Sequence, residues 1–294
     1  MFVAVLSDKP ELREQFCKLV GTESGKDELV FYTAQANGAT ITLVDPAHYP
    51  EKIQPLLYAL SMADYAVLIV DALSPKVGEI MVALNAVKLE RGVIISKVPL
   101  PVSGMVLEKY DKAPNMSAAK GKVLSLQPAA GGENFVALAH RSESVKSVGN
   151  VMHGTVRSGK LSKSDKLFLL PDRKDVEIRS MKADGKDAEE AAAGSRVEIA
   201  YKGDLFERGI LAPIRHEFQV ENVINGRFNR SPFYKDELKG KIHAYSNLQF
   251  VEGVVNENDL TLSAPMAYEK GESILVIDAS NQKLRVAGVF QSKW

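Results

Sequence analysis

The sequence predicts an α/β domain followed by two all-β barrels, and three observations predict it. Short apolar runs alternate with segments of helical periodicity through the first third of the chain. Helical periodicity then stops, and beyond Glu133 only short β-rich runs recur, separated by Gly, Ser, Asp and Asn turns. Between the two regimes, Pro99, Pro101, Pro114, Pro128 and Gly131-Gly132 punctuate the chain, and Pro128 to Glu133 reads as a linker. The predicted units are 1–130, 131–213 and 214–294.

Each element has its own signal. FVAVL from Phe2 is a buried-strand run, and LREQFCKLV follows at helical spacing. In the turn Ser7-Asp8-Lys9-Pro10-Glu11, Ser7 or Asp8 suits a helix cap, Pro10 the first helical position and Glu11 the first turn. Such a cap would put a side-chain oxygen where a phosphate would otherwise sit. LVFYTA and TITLVD flank Asn37-Gly38, a hairpin signal. A helix is expected from about Pro50 to Met62, with Ile53, Leu56, Leu57 and Leu60 on one face. YAVLIVDA reads as a second buried strand, GEIMVALNAVKLER as a helix and GVIISKV as a third parallel strand. Strands alternating with helices imply a doubly wound sheet covered on both faces. FVALAH, NVMHGTV, KLFLL, VEIRSMK and RVEIAY, then FQVENVI, KIHAYS, LQFVEGVV, LTLSA, SILVIDA and LRVAGVF, supply the strands of the two barrels.

Composition excludes several function classes. Lys and Arg together number 37, as do Asp and Glu, so no general field draws the chain to nucleic acid or membrane. Locally, Arg141 to Lys186 holds 11 basic and 6 acidic residues, which suits either a phosphate backbone or a solvated lysine-rich face. The single cysteine, Cys17, rules out an internal disulfide and falls among Phe16, Leu19 and Val20 as a core thiol. Runs such as YAVLIV are too short to span a bilayer, and the N-terminus reads as a core strand rather than a leader. A cytoplasmic protein with no membrane partner is expected. No Cys/His metal cluster, nucleophile elbow or paired carboxylates stand at a convincing spacing. His153 and the pair Tyr201-Lys202 are expected to be a barrel residue and surface residues respectively, and Trp294 carries no signal.

The segment GNVMHGTVRSGKLSKSDKLFLL, with the later A-G-S-R-V and E-R-G-I-L-A runs, resembles the second domain of elongation factor Tu, elongation factor 1-alpha and SelB. Gly154-Thr155-Val156, Gly159-Lys160-Leu161, Asp165, Ala193-Gly194, Val197 and Glu207-Arg208-Gly209 carry the likeness. It implies a first domain like a truncated P-loop GTPase sheet, an EF-Tu domain 2-like barrel and a domain 3-like barrel. By the same resemblance, ITLVDPAHYPEKIQPLLYALSMADYAVLIVDA matches the segment that in active factors begins Asp-x-Pro-Gly-His. Asp45 then stands at the aspartate that reaches Mg²⁺ through water, His48 at the switch glycine and Tyr49 at the water-orienting histidine. Ser96-Lys97-Val98-Pro99 stands at the guanine-reading motif, where Pro99 cannot accept from the base. Ser7, Asp8 and Lys9 replace the glycine-rich phosphate loop, and barely a turn separates Val20 from the hairpin strands, where an effector loop would lie.

Four losses together imply that phosphate cradle, metal ligand, water positioning and base reading are gone, and phosphoryl transfer is nearly all positioning and electrostatics. No GTPase activity and no GTP or Mg²⁺ cofactor is therefore expected. The short, motif-free first domain resembles archaeal SelB-like factors of the EF-Pyl kind, which implies a translation factor for a specialised aminoacyl-tRNA such as pyrrolysyl-tRNA. In the family the aminoacyl end is gripped between the first and second domains. Carried over, those positions are His140, Arg141 and Arg196, with Glu143 nearby; the arginines would take carbonyl, phosphate or ribose, and His140 would stack on adenine. The alternative for this cluster is a rim of solvated charge. His48, after Asp-Pro-Ala at a strand end, suits either an RNA contact or a hydrogen bond to a neighbouring loop. Expected partners are tRNA or aminoacyl-tRNA and the ribosome; the other readings are an active GTP-binding factor with an atypical pocket, or a protein-docking module of the translation machinery.

Overall fold

The computed structural model describes residues 1–127, 132, 134–213, 217–238 and 240–293. The linker expected at Pro128–Glu133 (except Gly132), the unit border at 130/131 and Trp294 lie outside the described residues, and the border at 213/214 abuts them.

The N-terminal part runs β1 (Phe2–Leu6), α1 (Pro10–Val20), β2 (Thr22–Lys26), β3 (Val30–Ala36), β4 (Ala39–Asp45), α2 (Gln54–Met62), β5 (Tyr65–Val70), α3 (Pro75–Ala86), β6 (Gly92–Ser96), β7 (Asp111–Ala113) and α4 (Met116–Leu124). The sheet has the order β2-β3-β4-β1-β5-β6-β7. β4, β1, β5, β6 and β7 run parallel, while β2 and β3 add an antiparallel edge. β1 and β5 are buried at every residue, which is why they are apolar throughout rather than alternating. The β3–β4 hairpin turns on Asn37 and Gly38, whose φ angles of 53° and 75° are the left-handed pair that such two-residue loops need. α1 and α4 pack on one face of the sheet around Phe16, Cys17, Ala119 and Val123; α2 and α3 cover the other.

A first barrel follows, from β8 (Val136–Val145), β9 (Gly149–Ser158), β10 (Lys160–Ser162), β11 (Leu167–Leu170), β12 (Lys174–Ala183), β13 (Lys186–Asp187), β14 (Glu190–Ala192), β15 (Arg196–Lys202) and β16 (Gly209–Pro213). The order β11-β16-β8-β9-β15-β12 closes through pairing of β11 with β12. The second barrel comprises β17 (Gln219–Arg230), β18 (Ile242–Ser246), β19 (Gln249–Val255), β20 (Asp259–Tyr268), β21 (Ser273–Ile277) and β22 (Val286–Ser292), closed in the order β17-β20-β19-β18-β21-β22. The α/β-then-two-barrels expectation holds. Each barrel fills with its own apolar cluster, and closure leaves neither ring an open edge.

Some boundaries differ from expectation. α2 begins at Gln54 rather than near Pro50, because residues 46–50 are drawn into buried contacts described below. α3 starts earlier than its apolar run, at Pro75, where Ser74 caps it by accepting from the Val77 amide. The Pro-punctuated stretch after β6 contains β7 and α4, which complete the sheet and its α1 face.

The α2–α3 face does not end at the first sheet. One apolar cluster joins Leu57, Leu60, Ile80 and Ala83 to Leu138 and Ile210 of the first barrel and to Tyr245, Leu275 and Val286 of the second. The seam between the parts is thus built as a core.

Candidate functional site

In an open α/β sheet a ligand crevice opens beyond the carboxyl ends of the parallel strands, where the order reverses. In this sheet β1 lies between β4 and β5, so the crevice is walled by residue 7 onward, 45–49, 71–74 and 96–99. Arg13 occupies its β1–β4 side. It lies on α1 in register with Phe16, Cys17 and Val20, the buried face of that helix, and is itself fully buried. Its Nε donates to Asp45 Oδ1 at 2.6 Å and its Nη1 to the Ser7 carbonyl at 2.7 Å. Nη2 donates to the carbonyls of Pro46 and Tyr49, both at 3.0 Å, and approaches that of Ala47 at 3.5 Å. A planar fork of five donors is spent on one carboxylate and a ring of carbonyls. Burial pushes the Asp45 carboxyl up, and the guanidinium beside it pulls the other way.

The walls are tied as well. Ser74 Oγ donates to Asp8 Oδ2 at 2.7 Å, and Lys9 Nζ to Asp71 Oδ2 at 2.7 Å. Lys97 pairs with the other oxygen of Asp71, and these two ammonium groups hold that carboxyl down at about 2. Ser96 Oγ turns back to the Val98 carbonyl at 2.6 Å, while Pro99 is exposed beside it. The expected side-chain cap of α1 is not formed. Lys9 stands at the N-cap without a side-chain bond, because Asp8 is committed to Ser74 and the Ser7 hydroxyl accepts from the Lys9 amide at 3.2 Å. His48 is exposed. Tyr49 is buried, its hydroxyl donating to the Lys76 carbonyl at 2.7 Å and lying 3.2 Å from Glu79 Oε1. Glu79 is in turn clamped by Arg285 of the second barrel, at 2.5 Å from Nη2 and 2.9 Å from Nε.

A second cluster lies where the first barrel meets the β2–β3 edge. The structure brings His140 and Arg196 together there and leaves Arg141 apart. His140 is 8% exposed, with its ring 5.2 Å from that of Phe31. Arg196 has its guanidinium 4.9 Å over the Phe31 ring and donates from Nη1 to the Ser24 carbonyl at 3.2 Å. Neither is a solvated rim residue. Burial lowers the His140 imidazole to about 3, so it is neutral at ordinary pH, and its Nε2 has no hydrogen-bond partner among the described residues. Arg141 is exposed and pairs with Glu143 at 2.5 Å, and Glu143 also meets His153 Nε2 at 3.1 Å. Tyr201, expected at the surface, is 3% exposed: its ring packs by Phe206 and its hydroxyl reaches the Asp204 carbonyl at 2.8 Å. Lys202 is exposed.

Sequence reasoning passed over Arg13, Phe31, Glu79, Arg208 and Arg285. Arg13 carried a usable signal, a lone charge on the apolar face of its helix at three, four and seven residues from Phe16, Cys17 and Val20. Arg208 stood in the Glu207-Arg208-Gly209 run that carries the family likeness, but no role was read for it; Phe31, Glu79 and Arg285 carried no signal, since their partners are distant in sequence. Among the described residues no group of three or more His, Cys, Asp and Glu could hold a metal ion, and no helix is long and apolar enough to cross a membrane.

SelB from Methanococcus maripaludis in complex with the GTP analogue GPPNHP superposes on the whole chain with a TM-score of 0.83 at 18% identity, over 79% of that structure. Its apo form gives 0.81. The chain has the SelB-like fold. In sequence, the chain is 28% identical over 293 residues to an uncharacterized protein of Methanocaldococcus jannaschii, covering 92% of the chain and 94% of that protein. It is also 25% identical over 243 residues to the selenocysteine-specific elongation factor of the same organism, covering 71% of the chain but only 52% of that factor. No protein-family model matches the chain. The resemblance first read from Gly154-Thr155-Val156 and Glu207-Arg208-Gly209 therefore extends over all three parts of the fold.

Proposed function

We propose that this chain is a translation-factor-like protein that binds tRNA, aminoacylated tRNA in particular, and neither binds nor hydrolyses GTP. One observation carries the GTP part of the reading: a buried arginine with its donors committed to Asp45 and the carbonyls of Ser7, Pro46 and Tyr49 occupies the β1–β4 side of the crevice at the strand ends. A triphosphate with Mg²⁺ does not fit this donor set. The carbonyls repel phosphate oxygens, Asp45 is engaged by a cation other than a metal, and α1 begins at Pro10, without a glycine-rich loop whose amides could close on an anion. The likeness to SelB and to a selenocysteine-specific elongation factor supports translation as the setting. The seam of Phe31, His140 and Arg196 supports a charged tRNA end as the ligand, with the exposed Arg141 able to take a backbone phosphate. The resemblance of the short, motif-free first domain to EF-Pyl-like factors supports a specialised tRNA such as pyrrolysyl-tRNA, and the ribosome is the partner that the fold family suggests.

Filter binding with charged and uncharged tRNA across a salt series tests this. Affinity is expected to fall linearly on a logarithmic salt axis, because phosphate contacts release counterions. Absence of salt-dependent binding to either tRNA would sink the proposal. Calorimetry with GTP and Mg²⁺ addresses the other half: a micromolar Kd, roughly −8 kcal/mol, would overturn it.

A further inference from the structure

A cavity of about 300 Å³ opens in the seam where α2, α3 and the two barrels meet. Leu60, Ala63, Val87 and Leu275 give it an aliphatic surface. Charges of both signs stand in its wall. Arg157, on β9, is exposed and donates from Nη1 to the Ser61 carbonyl. Among the described residues its Nε and Nη2 meet no acceptor, and no carboxylate pairs with it. Lys88, also exposed and unpaired among the described residues, adds a second positive charge. Glu272, half-buried, accepts from the Ser246 hydroxyl, from Asn247 Nδ2 at 2.7 Å and from the Glu269 amide at 2.7 Å, all neutral donors. Burial pushes its carboxyl up, the sign of a carboxylate short of a cation. The C-terminal ends of α2 and α3 border the same space at Ser61 and Ala86, and helix C-termini favour positive charge.

We propose that this cavity is a binding site for a free α-amino acid with an aliphatic side chain. The ammonium pairs with Glu272 beside the two helix C-termini. Two of the bonds to that carboxylate fall on Oε1 and one on Oε2, so Oε2 keeps an acceptor position for it. The carboxylate of the ligand meets the free Nε and Nη2 of Arg157, and the side chain covers Leu60, Ala63, Val87 and Leu275. A simple carboxylate would set its charge against Glu272, and a simple amine against Arg157 and Lys88. A ligand carrying both charges satisfies both walls. The volume stands at the small end of ligand sites, which suits a single amino acid rather than a peptide. The cavity shares no lining residue with the Arg13 crevice or the His140–Arg196 cluster, so neither GTP nor tRNA enters into its chemistry.

Calorimetric titration of the full chain with leucine, leucine methyl ester, isocaproate and glycine tests the site. Leucine is expected to bind saturably. The ester lacks the carboxylate and isocaproate lacks the ammonium, and each is expected to bind at least tenfold more weakly, about 1.4 kcal/mol. Glycine should also bind more weakly than leucine, because it leaves the aliphatic surface uncovered. E272Q is expected to lose at least tenfold in leucine affinity while keeping or gaining affinity for isocaproate. R157M should lose as much for leucine and nothing for the ester. Residues that only support the fold would weaken every ligand alike, and that outcome overturns the proposal. So does the absence of saturable heat from leucine. Isocaproate matching leucine would mean a plain anion site, the ester matching it a plain amine site, and glycine matching it no side-chain contact; each overturns the assignment. Should either variant fail to fold, the four ligands on the unaltered chain decide the matter by themselves.

Discussion

Arg13 and Asp45 are worth most when considered as a pair in a place without water. Removing one partner leaves a buried charge with nothing to balance it, whereas removing both leaves no unpaired charge, only a packing defect and the carbonyls of Ser7, Pro46 and Tyr49 without their donor. R13M is therefore expected to lose about 3–5 kcal/mol in urea denaturation, and R13M/D45L to lose less than R13M alone. A double variant as unstable as R13M would contradict the pairing. His140 makes a prediction in pH. Its folded value of about 3 lies below the ordinary 6.5, so between these limits the unfolded chain binds the proton and the folded chain does not. Its contribution is present above 6.5 and is lost progressively as pH falls toward 3. Urea midpoints at about pH 7 and about pH 5 should therefore differ more for the unaltered chain than for H140F; equal differences would contradict the burial of a neutral imidazole.

The elements of the α/β part follow from patterning because each pattern is local. β1 and β5 read as continuous apolar runs since both their faces are covered, and the Asn37-Gly38 turn is written in two residues whose backbone the hairpin requires. Helix starts were less legible. The oxygens of Ser7 and Asp8 look suited to cap α1, yet tertiary contacts claim them, and Ser74 caps α3 while also donating to Asp8. S74A should thus cost about 1 kcal/mol or more, the ordinary value of a cap plus a share of the bond that ties two crevice walls. Thermal unfolding checks this, and a change within a few tenths of a kcal/mol would mean the cap is dispensable.

Across the whole molecule, the α2–α3 face, both barrels and the Tyr49–Glu79–Arg285 network act as one seam. Arg285 also donates to the carbonyls of Glu51 and Pro50 at 3.1 and 2.9 Å, so the loop that begins at the Arg13 plug ends at the second barrel. R285M leaves the buried Glu79 with only Lys76 Nζ at 3.5 Å and the Tyr49 hydroxyl as partners, and should cost up to about 3–5 kcal/mol while splitting the unfolding of barrel and sheet into separate steps. A single, unshifted transition would contradict a welded seam. If the chain binds no GTP, as proposed, small-angle scattering of the unaltered chain is expected to give one envelope with and without GTP, because no γ-phosphate would order or release a segment.

Local sequence determined the α/β sheet, the hairpin, the change to barrels and the likeness to elongation factors, because strand burial, turn conformations and barrel glycines are demands that neighbouring residues meet together. It also supplied, at Ser7–Lys9, Tyr49 and Pro99, the residues on which the expectation of no nucleotide site rests. Only the tertiary structure decided what stands there instead. Arg13 meets Asp45 across 32 positions, Arg285 meets Glu79 across 206, and Arg208 meets Glu28 across 180. Ion pairs of that separation leave no periodicity in the chain. They exist because folding brings the groups together out of water, where each charge must find a partner.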